Sequence, residues 1–192
     1  MFLDVMDTLV HNPFFVEVPD FFGISLEALF AAKARGVWEA FERGEIDEAE
    51  LAARYFKGDR PLDLTGLRAC MAEAYRFLPG MESLLAELHQ AGLEIHALSN
   101  YPQWWRMIEA KLTLSRFMSW RFVSCRTGVR KPDAEAYLGA ARALTQPPGG
   151  CLFVDDSATN CEAAEALGMP SVRFVDAPSL RAALVERRLL GA

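Results

Sequence analysis

Side chains that could do chemistry together follow four separate apolar runs of the sequence. Asp4 comes after MFL, Ser99 after IHAL and the pair Asp155–Asp156 after CLFV, while Lys131 follows WRFVS by a short loop. If these runs are parallel strands, their carboxyl ends lie at one edge of a sheet. Residues that are far apart in the sequence would therefore converge there.

An aspartate, a hydroxyl, a lysine and an acidic pair form a coherent set for phosphoryl transfer. A carboxylate can attack phosphorus and form an aspartyl phosphate. Two or three carboxylates can bind a hard divalent cation, for which Mg²⁺ fits best, and the cation and a lysine offset the charge of the transferring group. Taken singly, each residue is equally typical of a turn or a helix N-cap. Their order at successive strand ends argues against coincidence.

The elements that would position these residues alternate between strand and helix from about residue 80 onward. Strands are predicted at 93–100, 120–124, 151–154 and 171–175, with helices at about 81–91, 102–114, 134–144, 158–167 and 178–189. Such alternation implies right-handed crossovers and a parallel sheet. Gly92 and Gly168 are placed to end two of these helices.

Residues 11–79 have a different, all-helical pattern. The segment SLEALFAAKARGVWEAFERG predicts one helix, ended by Gly44, whose apolar stripe consists of Leu26, Leu29, Phe30, Val37, Trp38 and Phe41. A second helix is predicted to begin at Asp47, with Glu50 at the capping-box position. The segment LTGLRACMAEAYRF supplies a third helix.

The predicted fold is therefore α/β, with an α/β core of residues 1–10 and 80–192 and a small helical cap of residues 11–79 inserted after the first strand. An insertion at that point lies over the edge of the sheet where ligands bind, so the cap could act as a lid. Only three residues precede Asp4, so either the first strand is very short or the true start lies upstream.

Four sequence motifs resemble those of the haloacid dehalogenase-like (HAD) hydrolase superfamily. They are LDVMDTLV, ALSN, GVRKPDAEAY and FVDDSATNCEAAEALGMP, in the family's order and spread over the whole predicted core. The resemblance implies a Rossmann-like parallel sheet with helices on both faces, and Mg²⁺ as cofactor.

The resemblance also implies roles for residues at the matching positions. Asp4 would be the nucleophile, and Ser99 and Lys131 would assist it. Phosphate would be bound by Thr8, Ser99, Asn100 and Lys131. The metal would be held by Asp4, Asp155, Asp156 as the principal ligand, and the backbone carbonyl of Met6.

Met6 departs from the pattern of the family's phosphatases, which carry an aspartate two residues after the nucleophile. That aspartate protonates the departing alcohol, and Met6 cannot. Asp7 is one residue further on, where its side chain should point elsewhere and order the turn with Thr8. General acid–base catalysis contributes about 10²–10⁴-fold, so we expect reduced activity, mainly on poor leaving groups.

Three other functions share part of this set of residues. Family members that cleave carbon–halogen bonds also lack the acid, but they do not use Mg²⁺ and lack the acidic pair, which is intact here in VDDS. A slow or non-catalytic phosphate-binding protein is compatible with Met6. Receiver domains combine similar residues, but in a different order and without such a helical insert. The sequence therefore favours a Mg²⁺-dependent phosphohydrolase.

Composition limits the partners. A net charge of −6 without a basic stripe disfavours nucleic acid. No apolar stretch reaches about 18 residues and no export signal is evident, so no membrane association is predicted. The four cysteines have no zinc-like or CxxC spacing, which favours a reduced, cytoplasmic protein. The expected partner is a small phosphorylated molecule, and the chain is expected to be a monomer or homodimer.

Aromatic and basic residues near the hinge and the motifs are candidates for substrate contacts. Phe14, Phe15, Phe21 and Phe22, with Trp104 and Trp105, could line an apolar pocket under the lid, although core packing is the commoner role. Arg126 and Arg130 flank the lysine loop and could contact a carboxylate or a second phosphate.

Overall fold

The computed structural model describes residues 1–58 and 60–191. It contains a five-stranded parallel sheet in which the strands lie in the order β3-β2-β1-β4-β5. The strands are β1 (Phe2–Leu3), β2 (His96–Ser99), β3 (Ser119–Val123), β4 (Phe153–Asp155) and β5 (Ser171–Arg173). The parallel α/β fold predicted from the sequence is confirmed, and β1 has two residues.

Helices fill the connections between the strands. Five α-helices lie in the segment between β1 and residue 80: α1 (Glu17–Phe22), α2 (Leu26–Ala32), α3 (Val37–Glu42), α4 (Glu48–Arg54) and α5 (Leu64–Ala74). The others are α6 (Met81–Gln90), α7 (Trp105–Leu112), α8 (Ser124–Thr127), α9 (Ala134–Ala143), α10 (Ala158–Ala166) and α11 (Ala177–Glu186). Within residues 1–58 and 60–191, none of the helices has the length and apolarity needed to cross a membrane.

The central strand β1 is stabilised on both sides despite its two residues. Phe2 and Leu3 each pair with β2 and β4, and the amide of Asp4 donates to the carbonyl of Val154 at 2.9 Å. Since successive side chains of a strand point to opposite faces, Phe2 packs with α9 and α10, whereas Leu3 packs with α6 and α11. Helices therefore cover both faces, and Asp4 leaves the sheet at its centre.

The single helix predicted through residues 25–44 is wrong. The chain forms α2 and α3 with a break over residues 33–36, because the backbone there bonds to another segment. The amide of Ala34 donates to Tyr55 and that of Lys57 donates to Ala32, both at 2.9 Å, and Gly36 has a φ of 76°. Phe30, predicted on the buried stripe, is 55% exposed.

Other predicted ends of the helices are confirmed. Asp47 caps α4 and exchanges hydrogen bonds with Glu50, at 2.9 and 3.1 Å, which form the complete capping box. Gly92 and Gly168 both have a φ of 76° and follow α6 and α10. The division into a core and a cap at residues 11–79 stays a prediction.

Hydrogen bonds connect α3 and α4 to segments that follow strands of the sheet. Glu42, at the end of α3, accepts a hydrogen bond of 2.7 Å from Arg130. Glu48, at the start of α4, accepts one of 2.5 Å from the indole of Trp104. These helices are therefore held beside the carboxyl edge of the sheet.

Candidate active site

Lys131 lies between two buried carboxylates at the carboxyl edge of the sheet. Its Nζ is 2.7 Å from Oδ1 of Asp4 and 2.5 Å from Oδ2 of Asp155. All three residues are buried, and Lys131 is only 3% exposed. The predicted convergence of these side chains is therefore present, and Lys131 does not turn towards solvent.

Asn100 fixes the backbone that carries Lys131. Its side-chain carbonyl accepts from the amide of Lys131, and its side-chain amide donates to the carbonyl of Lys131, both at 2.8 Å. This pair of bonds holds the loop after α8 against the end of β2. Since both polar ends of Asn100 are used in this way, the structure gives it a positioning role. Its predicted contact with phosphate stays a prediction.

Asp155 is held by donors from the start of α10. The amide of Ser157 donates to Oδ1 at 2.8 Å, and the side chain of Asn160 lies 3.2 and 3.1 Å from the two carboxylate oxygens. Helix N-termini favour negative charge for this reason. Asn160 was assigned no role from the sequence, although its place on the first turn after the acidic pair is a usable signal.

Burial and mutual repulsion set the ionisation of this cluster. Burial raises the pKa of Asp4 to about 7, and the Lys131 ammonium and the Ser99 hydroxyl oppose that rise. Burial also raises the pKa of Asp156, with a further rise from the charge of Asp155. For Lys131 burial lowers the pKa, but the carboxylates of Asp4 and Asp155 outweigh it, so its pKa lies above the usual value.

Three carboxylates are grouped closely enough to suit a divalent cation. Asp4, Asp155 and Asp156 each offer an oxygen, and these oxygens lie within 4.8 Å of one another. Oxygen ligands of this kind suit Mg²⁺, and a bound cation would favour the ionised carboxylates that burial disfavours. The residues present therefore fit the metal. The ligand role of the Met6 carbonyl stays a prediction.

Thr8 and Ser99 are buried beside the same cluster. The hydroxyl oxygen of Thr8 accepts from the amide of Asp156 at 3.2 Å, so it connects the turn after β1 to the end of β4. Ser99, at the end of β2, is 3% exposed. Both lie where the sequence predicted, and their contacts with phosphate stay predictions.

Met6 and Asp7 form the turn that follows Asp4. Met6 is largely buried and lines a cavity beside the cluster. Asp7 has a φ of 55°, and its Oδ1 accepts from the amide of Asn12 at 3.3 Å. This contact agrees with the expectation that Asp7 orders the turn.

A cavity of about 550 Å³ extends from Met6 and Asn100 towards α2 and α3. Its lining includes five aromatic side chains, Phe14, Phe15, Phe30, Trp38 and Tyr101, and four charged residues, Lys33, Arg35, Glu39 and Glu42. Two of the predicted pocket aromatics, Phe14 and Phe15, are in this lining. The others are not: Phe21 and Phe22 pack within the helical segment, Trp104 is buried against α3, and Trp105 lines a different cavity.

The two arginines beside the lysine loop are engaged elsewhere. Arg130 pairs with Glu42 at 2.7 Å, and Arg126 donates to the carbonyl of Trp120 at 2.8 Å. Neither is in the lining of the cavity beside Met6. Arg130 still matters to the cavity because it holds Glu42, which is part of the wall.

Comparisons with known proteins agree with the fold. The model of the haloacid dehalogenase-like hydrolase family matches residues 16–168, a range that begins after Asp4. The chain is 46% identical over 180 residues to the chloroplastic flavin mononucleotide hydrolase 1 of Arabidopsis thaliana, covering 94% of this chain and 74% of the relative.

A second relative and a solved structure extend the comparison. The sesquiterpene phosphatase astK of Aspergillus oryzae is 29% identical over 177 residues, covering 88% of this chain and 86% of the relative. A HAD family enzyme of Bacteroides thetaiotaomicron, solved in complex with magnesium and inorganic phosphate, has a TM-score of 0.70 at 17% identity, over 91% of this chain and 93% of its own.

Proposed function

The chain belongs to the haloacid dehalogenase-like hydrolases, and from this premise we propose that it hydrolyses phosphate monoesters, with Asp4 as nucleophile and Mg²⁺ as cofactor. The observation that carries the proposal is the cluster of Asp4, Asp155 and Asp156, in which the Lys131 ammonium pairs with the buried Asp4 and Asp155. Such a set combines an attacking carboxylate, a cation site and a fixed positive charge.

The residues of the chain divide the reaction into two steps. In the first, an oxygen of Asp4 attacks phosphorus, the bond from phosphorus to the alcohol oxygen breaks, and an aspartyl phosphate forms. In the second, water attacks that phosphorus, the bond from phosphorus to the Asp4 oxygen breaks, and the protons of the water leave with inorganic phosphate while the Asp4 carboxylate is regenerated. Lys131 and Ser99 favour the ionised form of Asp4 against the effect of burial, and the hydrogen bond from Lys131 orients the carboxylate.

Asp156 is the principal metal ligand in this proposal, together with Asp4. The oxygens of Asp155 already accept from Lys131, Ser157 and Asn160, whereas the Asp156 carboxylate accepts no hydrogen bond from the described residues. When bound, Mg²⁺ offsets the negative charge of the phosphoryl group as it transfers. The Bacteroides enzyme with the same fold was crystallised with magnesium and inorganic phosphate, which supports this choice of metal.

Flavin mononucleotide (FMN) is the first substrate to test. The cavity beside the cluster has room for a large alcohol part, and five aromatic side chains in its lining suit a planar ring. The Arabidopsis relative is named for hydrolysis of this compound, and the sesquiterpene phosphatase is named for a substrate with a bulky apolar part. We therefore propose esters whose alcohol part is large and can pack against aromatic side chains.

The leaving group remains the difficult part of the reaction. FMN is the ester of a primary alcohol, so its departing oxygen must take a proton from solvent or from the substrate because Met6 carries none. Aryl and acyl phosphates depart without a proton. We therefore propose that phenyl phosphate and acetyl phosphate are turned over faster than simple alkyl phosphates.

The test is a panel of FMN, phenyl phosphate, acetyl phosphate, an alkyl phosphate and 2-haloacids, assayed with and without Mg²⁺. We expect phosphate release that needs the metal, and a loss of about 10⁴-fold or more in Asp4→Asn. Asp20→Asn, an exposed aspartate on α1, is the matched control and should keep full activity.

Two results would contradict the proposal. Halide release from a 2-haloacid without metal would make the chain a dehalogenase. No turnover of any ester, with phosphate still bound by the folded protein, would make it a binding protein.

A further inference from the structure

We propose that Lys33 is a specificity-determining residue, which selects phosphate esters whose alcohol part carries a planar ring with carbonyl oxygens. The inference rests on the proposed function and concerns the same cavity. It predicts which alcohols the cavity accepts, and it can be tested without measuring hydrolysis.

The break between α2 and α3 puts Lys33 into the wall of the cavity. At this residue the backbone becomes extended, with a φ of −64° and a ψ of 140°, so the side chain leaves the helical direction of α2. Its ammonium lies 4.2 Å from the ring centroid of Phe14, 5.3 Å from that of Tyr55 and 5.5 Å from that of Trp38. Rings at these distances attract a cation and fix its position.

Carboxylates near Lys33 do not neutralise it through direct contact. Glu39 and Glu42 lie close enough to influence the charge of Lys33, but within the described residues no carboxylate forms an ion pair with it. Glu42 is already bonded to Arg130 at 2.7 Å and to the indole of Trp38 at 2.8 Å. The three N–H groups of Lys33 are therefore available to a ligand in the cavity.

Burial disfavours the charged form of the Lys33 side chain. Desolvation lowers the pKa of Lys33 to about 8, against the opposing effect of Glu39 and Glu42. A charged group retained in a cavity in spite of that cost is typical of a functional position.

The rest of the wall suits a flat ring. Phe14 and Phe30 lie with ring centroids 5.5 Å apart, and Phe14 and Phe15 with centroids 5.4 Å apart. Phe15 and Phe30 are 50% and 55% exposed, which leaves apolar surface uncovered at the rim of the cavity. A planar heterocycle could stack there while Lys33 donates a hydrogen bond to a carbonyl oxygen at the ring edge.

The same geometry disfavours hydrocarbon alcohols. A prenyl chain can fill the aromatic wall, but it cannot accept a hydrogen bond, so it would strip water from the ammonium without replacing it. The isoalloxazine ring of FMN has two carbonyl oxygens. Lys33 would thus favour a flavin alcohol over a sesquiterpene alcohol, the two kinds for which the relatives are named.

Riboflavin is the direct probe, because it carries the ring of FMN without the phosphate. Its binding is measured by quenching of flavin fluorescence in the wild type, Lys33→Met, Lys33→Arg and Arg54→Met. We expect Lys33→Met to weaken binding by about 10- to 100-fold, as for loss of a hydrogen bond to a charged group. Lys33→Arg should retain much of the affinity. Arg54→Met is the control and should bind riboflavin as tightly as the wild type, because Arg54 is exposed on α4 and lies outside the cavity.

Kinetics give a second measurement. Lys33→Met should raise KM for FMN with little change in kcat, leave phenyl phosphate turnover unchanged, and not reduce turnover of a prenyl monophosphate. Equal riboflavin affinity in the wild type and Lys33→Met overturns the inference, as does a similar loss on all three esters.

The proposed function can fail independently. Riboflavin binding that depends on Lys33, in a protein that hydrolyses no ester, would contradict the function and support the inference. Hydrolysis of phenyl phosphate by a protein that does not bind riboflavin would support the function and overturn the inference.

Discussion

The ammonium of Lys131 lies 2.7 Å from the carboxylate of Asp4, across 127 positions of sequence. Both groups are buried, so each depends on the other for the solvation that water would otherwise give. We expect Lys131→Met to lower the free energy of unfolding by about 3–5 kcal/mol, since it leaves buried carboxylates without their cation. Phosphatase activity should be lost as well.

Urea unfolding of Lys131→Met at pH 7, followed by circular dichroism, measures this loss. Lys111→Met is the control for removing a lysine, because Lys111 is exposed and its ammonium contacts backbone carbonyls only. A Lys131 variant as stable as the Lys111 variant would mean that the buried ion pairs do not matter for folding.

Mg²⁺ should stabilise the folded protein measurably. A ligand present at 100 times its dissociation constant contributes about 2.7 kcal/mol. In a chain of this size that corresponds to a rise in Tm of about 5–10 °C. Asp156→Asn should reduce the rise, since it removes the carboxylate that is freest to bind the cation.

Thermal unfolding with MgCl₂, and with NaCl at the same ionic strength, separates cation binding from screening. Glu162→Gln, at an exposed position of α10, is the matched control and should retain the full rise. A Tm that responds equally to both salts would contradict a specific metal site.

Met6→Asp should restore the missing acid. Because the new carboxyl group could protonate a departing alkoxide, we expect turnover of FMN and of alkyl phosphates to rise by up to about 10²-fold. Phenyl phosphate should change little, since phenolate leaves without a proton.

Steady-state kinetics on the two types of ester check this prediction. Met6→Asn serves as control, because it has a similar shape to aspartate but no proton to donate. An equal gain on aryl and alkyl esters would show that Met6 does not occupy the position of the acid.

Lys33→Met should stabilise the protein at neutral pH. Burial lowers the pKa of Lys33 from 10.5, its value as a free side chain, to about 8 in the folded chain, and the carboxylates of Glu39 and Glu42 oppose that fall. Glu42 is paired with Arg130, and Arg35 lines the same cavity as Lys33. Below pH 8 both the folded and the unfolded chain carry the charge, so the whole cost of burying it opposes folding. Between pH 8 and 10.5 the unfolded chain holds more protons, so wild-type stability gains with rising pH from this group.

The advantage of Lys33→Met over the wild type should therefore be largest below pH 8 and shrink towards pH 10.5. Urea unfolding of both proteins at pH 7 and near pH 10 measures it. Arg54→Met should differ from the wild type by the same amount at both values. A Lys33 variant that is less stable than the wild type at pH 7 would show that its contacts with the rings outweigh desolvation.

The cluster could be predicted from the sequence because strand ends in a parallel sheet share one edge. Asp4, Lys131 and Asp155 needed only that rule to be brought together. The break at residues 33–36 could not be predicted, since the local pattern favours a continuous helix and the bonds to Tyr55 and Lys57 come from another segment. Residues 33–36 of that break line the cavity, so only part of its lining, Phe14 and Phe15, was predicted.

Substrate contacts were harder still to anticipate. Arg130 was a candidate for contact with a carboxylate or a second phosphate of the substrate, but its partner is Glu42, 88 positions away. Asn160 belongs to a motif that the sequence made evident, yet its bonds to Asp155 depend on the rotation of the first turn of α10. Such pairings are decided by packing between elements, which no single segment encodes.

The hydrogen bonds between Glu42 and Arg130 and between Glu48 and Trp104 affect how a ligand can enter and leave the cavity. They hold α3, whose Glu39 and Glu42 line the cavity, and its neighbour α4, so opening the cavity by moving these helices would require both bonds to break. Phe15 and Phe30 also line the cavity, and their uncovered rings offer an apolar surface to an alcohol that enters or leaves it. The rate at which the freed alcohol departs, and with it the turnover rate, would then depend on how tightly these two rings bind it.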